Sequence, residues 1–294
     1  MQKKYSMFCF IILHYKNIKD TLECISSIHN LKNQKNIRIV VVDNNTTTVK
    51  QEKILKEKCN IFIRLPENVG FAKANNIGCA NAIKKFHPDF LIVINNDIVI
   101  YELDLLEKIK KDYSDYHFDM LGPKILTNGG ESVNPFPVYN SSQQVKRNYI
   151  KTKVLVHIYH NKFISWLFEK YLFFKSKIKK PTHLQNGEHL EKQIALHGCA
   201  ICFSKKYYEK YHYVFYPNTF LYHEEEFLYY RIQKDKLISI YDPQIEVFHK
   251  EGSSLNFRFS SSEREKKLFR YREIEKSLKQ LLQLYDKEEE KNGK

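Results

Sequence analysis

The stretch Phe90-Leu-Ile-Val-Ile-Asn-Asn-Asp97 indicates the fold class, because a short apolar run leads directly into a polar turn. Residues 90–94 are too few for a buried helix and include residue types that favour strands. They therefore predict a buried strand of a sheet covered by helices. Asp97 would lie just beyond the carboxyl end of that strand, which fixes its backbone.

The chain before this strand repeats the same pattern. Further apolar runs that predict strands occupy residues 8–13, 37–42 and 61–65. Segments with helical spacing lie between the strands, at residues 21–31, 49–58 and 71–86. Alternation of this kind predicts an α/β fold with a mostly parallel central sheet, flanking helices and right-handed crossovers.

A polar turn follows each of these predicted strands. The turns are His14-Tyr15, Asp43-Asn44-Asn45, Asn68-Val69-Gly70 and Asn95-Asn96-Asp97. Ligands of open α/β sheets bind beyond the carboxyl ends of the strands. We therefore expect the four turns to converge on one site.

Residues in these turns are of the types that bind a nucleotide diphosphate. The hard carboxylate of Asp97 suits Mg²⁺ or Mn²⁺ held mainly by substrate phosphates, although a simple turn is the alternative. Asp43 could accept hydrogen bonds from a base or a ribose, or close an Asx turn. Gly70 would permit a close backbone approach, and the helix after it would offer free N–H groups to an anion.

A second group of candidate residues lies near the end of the chain. Glu224, Glu225 and Glu226 begin a predicted helix, where the helix dipole would keep them ionised and suited to act as bases. Short strands are predicted at residues 195–204, 237–241 and 245–249. His249 ends the last of them and could be a second metal ligand, although a lone histidine is more often structural.

Composition bounds the possible partners. The 294 residues carry a formal net charge of +14, which fits nucleic acid, anionic lipid, a diphosphate substrate or a merely solvated surface. No basic nucleic-acid-binding module is recognisable, so no nucleic-acid partner is expected. The longest apolar run, residues 7–13, is too short to cross a bilayer, and no transmembrane span is predicted.

Taken in order along the chain, these motifs resemble family 2 of the inverting glycosyltransferases. The resemblance covers residues 8 to about 255, except for the middle segment, and is greatest to capsule, O-antigen and rhamnan-type members. The motifs are Phe10-Ile-Ile-Leu-His-Tyr15, Val40-Val-Val-Asp-Asn-Asn45, Asn68-Val-Gly-Phe-Ala-Lys-Ala-Asn-Asn-Ile-Gly78, Leu91 to Asp97, Gly198-Cys-Ala-Ile-Cys-Phe203, Phe220 to Arg231 and Val247-Phe-His249.

The resemblance implies a GT-A fold and a metal-dependent transferase of hexosyl or rhamnosyl type. It implies that Asp43 contacts the nucleotide, that Asp97 and His249 hold Mn²⁺ or Mg²⁺, and that Glu225 is the general base. Two departures from the family pattern are Asn95, where Asp is frequent, and Phe227, where many members carry another Asp. The second leaves Glu224 and Glu226 as alternative bases. Weaker candidates for donor contacts are Asn68, Gly70, Asn75, Asn95 and Arg231.

The expected reaction moves a sugar from a nucleotide-diphosphate donor to a hydroxyl of a glycan or polyprenyl-linked acceptor in cell-surface polysaccharide biosynthesis. A catalytically silent module of the same fold that binds a nucleotide sugar or carbohydrate is the alternative. The expected organisation is a catalytic domain over residues 1–260 and a basic helix and tail over residues 261–294. Within the domain, residues 1–127 would bind the nucleotide sugar, residues 128–194 would form a helical insertion and residues 195–260 the acceptor half.

The middle of the chain alternates lysine with large apolar residues. Residues 149–180 have roughly helical apolar spacing, and basic helices with aromatic anchors lie in bilayer interfaces. The segment is expected either to dock on an anionic membrane or to pack its apolar face on the catalytic core with the lysines solvated. The protein is expected to be cytoplasmic, and in the first case it would be peripheral on the inner face of the cell membrane.

Overall fold

The computed structural model describes residues 6–139, 141–176, 189–250 and 262–292. Its strands are β1 Phe8–His14, β2 Ile37–Asp43, β3 Ile61–Arg64, β4 Phe90–Asn95, β5 Ile98–Val99, β6 Met120–Leu126, β7 Glu191–Lys192, β8 Ala200–Ser204 and β9 Ser239–His249. Its helices are α1 Ile18–His29, α2 Val49–Lys58, α3 Phe71–Phe86, α4 Leu105–Tyr116, α5 Ser142–His160, α6 Lys162–Ser176, α7 Lys205–Lys210, α8 Glu224–Asp235 and α9 Glu263–Asn292. A 3₁₀ turn, Gln34–Asn36, precedes β2.

Within the described residues the strands form one sheet, in the order β3-β2-β1-β4-β8-β6-β9-β5, with β7 paired to β9. Strands β1 to β4, β6 and β9 run in one direction, and β8, β5 and β7 run the other way. The predicted α/β fold with a mostly parallel sheet is confirmed. The two short strands predicted at residues 237–241 and 245–249 are one strand, β9, whose pairing with β6 shifts register between Pro123 and Lys124.

Helices cover both faces of the sheet, as the continuous apolar strands require. Along β1, Phe8, Phe10 and Ile12 point into one buried cluster, which includes residues of α1 and α4. The alternate residues Cys9 and Ile11 point into a second cluster, which includes residues of α3, α7 and α8. The strand pleat thus divides the core between two layers.

The predicted helical insertion consists of α5 and α6, and the predicted C-terminal helix is α9. A third apolar cluster joins α5 to α8 and α9 through Val145, Phe227, Tyr230, Leu278 and Leu281. Residues 177–180 of the Lys/aromatic segment lie outside the described residues. No described helix has the length and hydrophobicity that crossing a bilayer requires.

Candidate active site

A cavity of about 230 Å³ opens at the carboxyl ends of β1, β2 and β4. Its lining residues are Leu13, Tyr15, Asn44, Asn68, Gly70, Phe71, Asn95, Asn96, Leu221, Tyr222 and Phe269. Each of the four predicted turns contributes at least one of them, so the turns converge at one edge of the sheet. Phe269 comes from α9. The pattern of polar turns after the strands did not predict that this helix would reach the site.

Asn44 joins two of the turns that line the cavity. Its side-chain amide donates to Asn68 Oδ1 at 2.9 Å, and its Oδ1 accepts the Val69 N–H at 2.9 Å. Asn68 Oδ1 also accepts the Gly70 N–H at 3.0 Å. The predicted donor-contact residue Asn68 therefore lines the cavity and holds its wall together through Asn44, which sequence reasoning did not single out.

Position 70 requires glycine because of the local backbone conformation and the neighbouring backbone of Phe220. Gly70 has a φ of +86°, and a Cβ atom there would come within 2.3 Å of the Phe220 carbonyl oxygen. That carbonyl accepts the N–H of Phe71, the first residue of α3, at 2.8 Å. The sequence predicted that a ligand would approach the backbone closely at Gly70, but the Phe220 backbone occupies that space. The Phe220 carbonyl also accepts the first N–H that α3 would otherwise offer to an anion.

Asp43 forms the Asx turn that was its alternative interpretation. Its buried Oδ1 accepts the Thr46 N–H at 2.9 Å, and its Oδ2 accepts the Thr47 N–H at 3.2 Å. Both threonine hydroxyls donate to the same carboxylate. Asp43 does not line the cavity, whereas its neighbour Asn44 does.

Two predicted donor contacts lie away from the cavity. Asn75 is buried in α3, where its amide donates to the Phe71 carbonyl at 3.1 Å. Arg231 donates to the Tyr207 hydroxyl and to the Val214 carbonyl, both at 2.8 Å, and lines a separate cavity. The guanidinium of Arg231 is therefore committed to this tyrosine-rich cluster and does not line the donor cavity, so a donor contact from Arg231 stays a prediction that the geometry does not favour.

The predicted metal ligands Asp97 and His249 lie side by side. Strands β5 and β9 pair Ile98 with His249, which brings His249 Nε2 to 3.2 Å from Asp97 Oδ1. That oxygen is buried and accepts no hydrogen bond from the described residues. The nearby cation Lys250 is committed to Asp20 at 3.1 Å and to Glu23 at 2.5 Å.

A carboxylate oxygen and an imidazole nitrogen in this position fit a divalent cation. No cluster of three or more His, Cys, Asp or Glu side chains able to hold a metal occurs in the described part of the chain. The pair alone would therefore leave several coordination positions for phosphate oxygens and water. That is the pattern of cations bound largely through a diphosphate substrate.

The three glutamates at the start of α8 differ in environment. Glu225 Oε1 accepts the Gly198 N–H at 3.0 Å, which fixes its carboxylate beside β8. Glu226 Oε1 lies 2.9 Å from His223 Nδ1. Burial, together with the charge of Glu225, raises the pKa of Glu224 well above 4.5. At Glu224, burial therefore opposes the ionisation that the helix dipole was expected to favour.

His197 lies near both Glu225 and His249, and sequence reasoning missed it. Its Nδ1 lies 3.9 Å from Glu225 Oε1, and its ring centroid lies 6.4 Å from that of His249. Nδ1 accepts the Cys199 N–H at 3.2 Å, so a neutral ring carries its proton on Nε2. The position of His197 immediately before the Gly198 motif was its only sequence signal.

Phe227 has a structural reason to depart from the family pattern. Its ring stacks on Tyr216 with centroids 4.4 Å apart and is buried in the cluster that joins α5, α8 and α9. An aspartate there would place a carboxylate in that cluster, which is costly without a partner. The apolar residue thus serves the packing of the insertion and of the C-terminal helix.

Comparison with solved structures supports the fold assignment. The crystal structure of S. aureus TarS 1-349 in complex with UDP matches this chain with a TM-score of 0.51 and 16% sequence identity. The match covers 85% of this chain and 62% of that chain. A longer TarS structure matches with a TM-score of 0.50 and 15% sequence identity, and the match covers 83% of this chain and 37% of that chain. The mannosyltransferase PcManGT from Pyrobaculum calidifontis, in complex with GDP-Man and Mn²⁺, matches with a TM-score of 0.51 and 11% sequence identity. This match covers 87% of this chain and 61% of that chain.

The chain spans less than two thirds of the length of each of these proteins, and the likeness establishes the GT-A fold. No curated protein matches the sequence. The family model described as Glycosyl transferase family 2 matches residues 9–173, which is more than half of the chain. With that match and a GT-A fold around a strand-end cavity, the chain belongs to glycosyl transferase family 2.

Proposed function

We propose that the chain transfers a sugar, with inversion, from a nucleotide-diphosphate donor to a hydroxyl of an acceptor. The observation that supports the proposal is the proximity of two pairs of side chains: Asp97 lies 3.2 Å from His249, and His197 lies 3.9 Å from Glu225. The rings of His249 and His197 are 6.4 Å apart, which is consistent with a metal pair and a base that serve one site. Family membership supports sugar transfer.

The strand-end cavity is the proposed donor site. Asn44, Asn68, Asn95 and Asn96 surround it with amide groups, and Tyr15, Phe71 and Tyr222 add aromatic surface for a base or a sugar. TarS binds UDP and PcManGT binds GDP-Man, which supports a nucleotide sugar as the ligand here. Asp43 would contribute by holding the loop that carries Asn44.

Asp97 and His249 would hold the divalent cation. When bound, it would neutralise charge that develops on the departing diphosphate. The imidazole ligand fits Mn²⁺ better than Mg²⁺, because magnesium in proteins takes mainly oxygen ligands. The Mn²⁺ in the PcManGT complex supports the same choice.

Glu225 is the proposed general base. It takes the proton of the acceptor hydroxyl as that oxygen bonds to the anomeric carbon, while the bond from this carbon to the diphosphate oxygen breaks and the nucleoside diphosphate leaves. Attack opposite the leaving group inverts the anomeric configuration. The Gly198 N–H holds the carboxylate in position, whereas Glu224 Oε1 is buried and accepts no hydrogen bond from the described residues.

The proposed acceptor is a glycan or a polyprenyl-linked glycan in cell-surface polysaccharide biosynthesis, of the capsule or O-antigen kind. The sugar transferred would be a hexose or a deoxyhexose such as rhamnose. A polyprenyl-linked acceptor lies in a bilayer, so the protein would work from the cytoplasm as a peripheral protein on the inner face of the cell membrane.

A thermal-shift screen of nucleotide sugars with and without Mn²⁺ tests the donor and the metal together. Ligand binding raises the apparent stability by mass action, about 2.7 kcal/mol at a hundredfold excess over Kd. We expect one nucleotide to stabilise the protein in Mn²⁺ and much less in excess chelator. Stabilisation by no nucleotide would count against the proposal.

A further inference from the structure

Helix α6 carries a continuous apolar surface that faces solvent. The large apolar side chains of α6 that are exposed are Phe163, Ile164, Trp166, Leu167, Tyr171, Leu172, Phe173 and Phe174. Five of them are more than half exposed, Phe174 at 65% and Phe163 at 66% among them. A patch of this kind on a soluble domain marks an interaction site. The alternative in which this face packs on the catalytic core does not hold for α6.

The orientation of α6 is fixed by its other side. Glu169 forms an ion pair with Lys267 of α9 at 2.5 Å and accepts a hydrogen bond from the buried hydroxyl of Tyr159 in α5. Arg264 of α9 donates to the Tyr159 carbonyl at 2.7 Å. The apolar face is therefore held outward by polar contacts with α5 and α9.

Helices α5 and α6 carry an excess of positive charge. Between residues 141 and 176 the sequence has one acidic residue, Glu169, and it is already paired with Lys267. Exposed Lys151 and Lys153 lie on α5, and exposed Lys162 and Lys170 lie on α6. Lys170 Nζ sits 3.8 Å from the centre of the Trp166 ring, so charge and aromatic surface occupy the same part of the helix.

We propose that the outer face of α6 docks the protein on a bilayer that contains anionic lipid. Aromatic and aliphatic side chains would enter the interface while the lysines remain at the level of the anionic headgroups. The 15 residues of α6 are too few to span a bilayer, so the helix would lie along its surface. The inference deepens the proposed function and rests on it for one element, a lipid-linked acceptor presented at that surface.

Vesicle flotation of the full chain tests the docking surface. Vesicles of phosphatidylcholine alone are compared with vesicles that contain 30–40% phosphatidylglycerol, at about 50 mM and 500 mM salt, because salt screens attraction to an anionic surface. We expect binding to the anionic vesicles at low salt that weakens at least tenfold at high salt. Equal binding to both kinds of vesicle, or to neither, would overturn the proposal.

Substitutions assign the binding to α6. Phe163→Ser, Trp166→Ser and Phe174→Ser in combination change exposed side chains and should reduce vesicle binding at least tenfold. Lys151→Gln, Lys153→Gln and Lys162→Gln should remove the preference for anionic lipid. The matched control changes exposed apolar residues elsewhere, Val49→Ser with Tyr101→Ser, and should bind as the unaltered protein does. Unchanged binding by the α6 variants would overturn the proposal.

Dimerisation and donor binding are measured on the same α6 variants, so that membrane docking can be distinguished from self-association and from sugar transfer. Concentration-dependent dimerisation that the serine substitutions abolish, without any vesicle binding, would overturn the proposal and assign the face to a second copy of the chain. Stabilisation by a nucleotide sugar should be the same in the α6 variants, because α6 does not line the donor cavity. If the unaltered protein binds a nucleotide sugar but no vesicle, docking is rejected while sugar transfer is untouched.

Discussion

His249 Nε2 lies 3.2 Å from Asp97 Oδ1, and the two side chains are nearly buried. The pairing of β5 with β9 produces this contact between residues about 150 positions apart. The carboxylate oxygen accepts no hydrogen bond from the described residues. A cation shared by the two side chains would satisfy both.

Asp97→Ala is expected to lower sugar transfer by on the order of 10²–10³-fold and to leave the fold intact, because it removes charge stabilisation of the leaving group. His249→Ala should have the same direction of effect. The measurement is the Mn²⁺-dependent part of the thermal stabilisation by nucleotide, followed alongside turnover. Full turnover in excess chelator, or Mn²⁺-dependent stabilisation that survives both substitutions, would contradict the assignment.

Glu225→Gln is expected to reduce kcat by about 10²–10⁴-fold and to leave the Kd for the donor nearly unchanged, because a general base acts on the acceptor in the transition state. The amide can still accept the Gly198 N–H, so the local geometry is preserved. Glu224→Gln and Glu226→Gln are the matched controls and should be milder. Near-normal kcat in Glu225→Gln, with loss in either neighbour, would move the base to that neighbour.

Gly70→Ala is expected to destabilise the protein by about 3 kcal/mol or more, because the new Cβ would meet the Phe220 carbonyl in a backbone conformation that L-residues disfavour. Gly130→Ala is the control, since Gly130 has a similar φ of +78° but open space around its Cβ position. Gly130→Ala should lower the free energy of unfolding by only about 1 kcal/mol, because only the backbone conformation is unfavourable. Equal losses in urea unfolding would show that the Phe220 contact is unimportant.

Asp112→Asn is expected to stabilise the protein at pH 8 more than at pH 4.5. Burial, followed by the nearby charge of Asp242, raises the pKa of Asp112 to about 7. A carboxyl whose pKa is raised on folding keeps its proton in the folded state, so stability falls as pH rises from about 4 to about 7 and then levels off.

Asparagine removes that penalty and can still donate a hydrogen bond to Asp242. We expect a gain of about 1–2 kcal/mol at pH 8 in urea unfolding, below the upper limit set by about 1.4 kcal/mol per pKa unit. Asp115→Asn changes an exposed neighbour and should show little dependence on pH. A gain that is the same at both pH values would show that Asp112 is ionised in the folded protein.

The strand ends could be predicted from the sequence because their causes are local. Apolar runs of strand length and the turns after them placed Asn68, Asn95 and Asp97 at one edge, and the structure brings their turns together there. Regular alternation ends after β4. The two-residue strand β5 is too short to produce a pattern, and β9 continues through Asp242-Pro243-Gln244, which separates the two strands predicted there.

The pairing of Asp97 with His249 followed from the family resemblance, but other contacts between distant segments could not be predicted. Phe269 reaches the cavity from α9, and His197 lies between Glu225 and His249, through packing that no local pattern encodes. The cluster that Arg231 joins could not be predicted either, because a position on α8 does not show which neighbours the side chain contacts. The tyrosines around it supply the physical reason for its actual place.

Release of nucleoside diphosphate tests the central claim most directly. The donor selected by thermal shift is incubated with Mn²⁺ and with water, glycans or a polyprenyl-linked glycan as acceptor, and ¹H NMR follows the anomeric signal. We predict release that requires Mn²⁺, a product of inverted anomeric configuration, and loss of both in Glu225→Gln while donor binding persists. Donor binding without release under any of these conditions would contradict the account and identify a silent nucleotide-sugar-binding module.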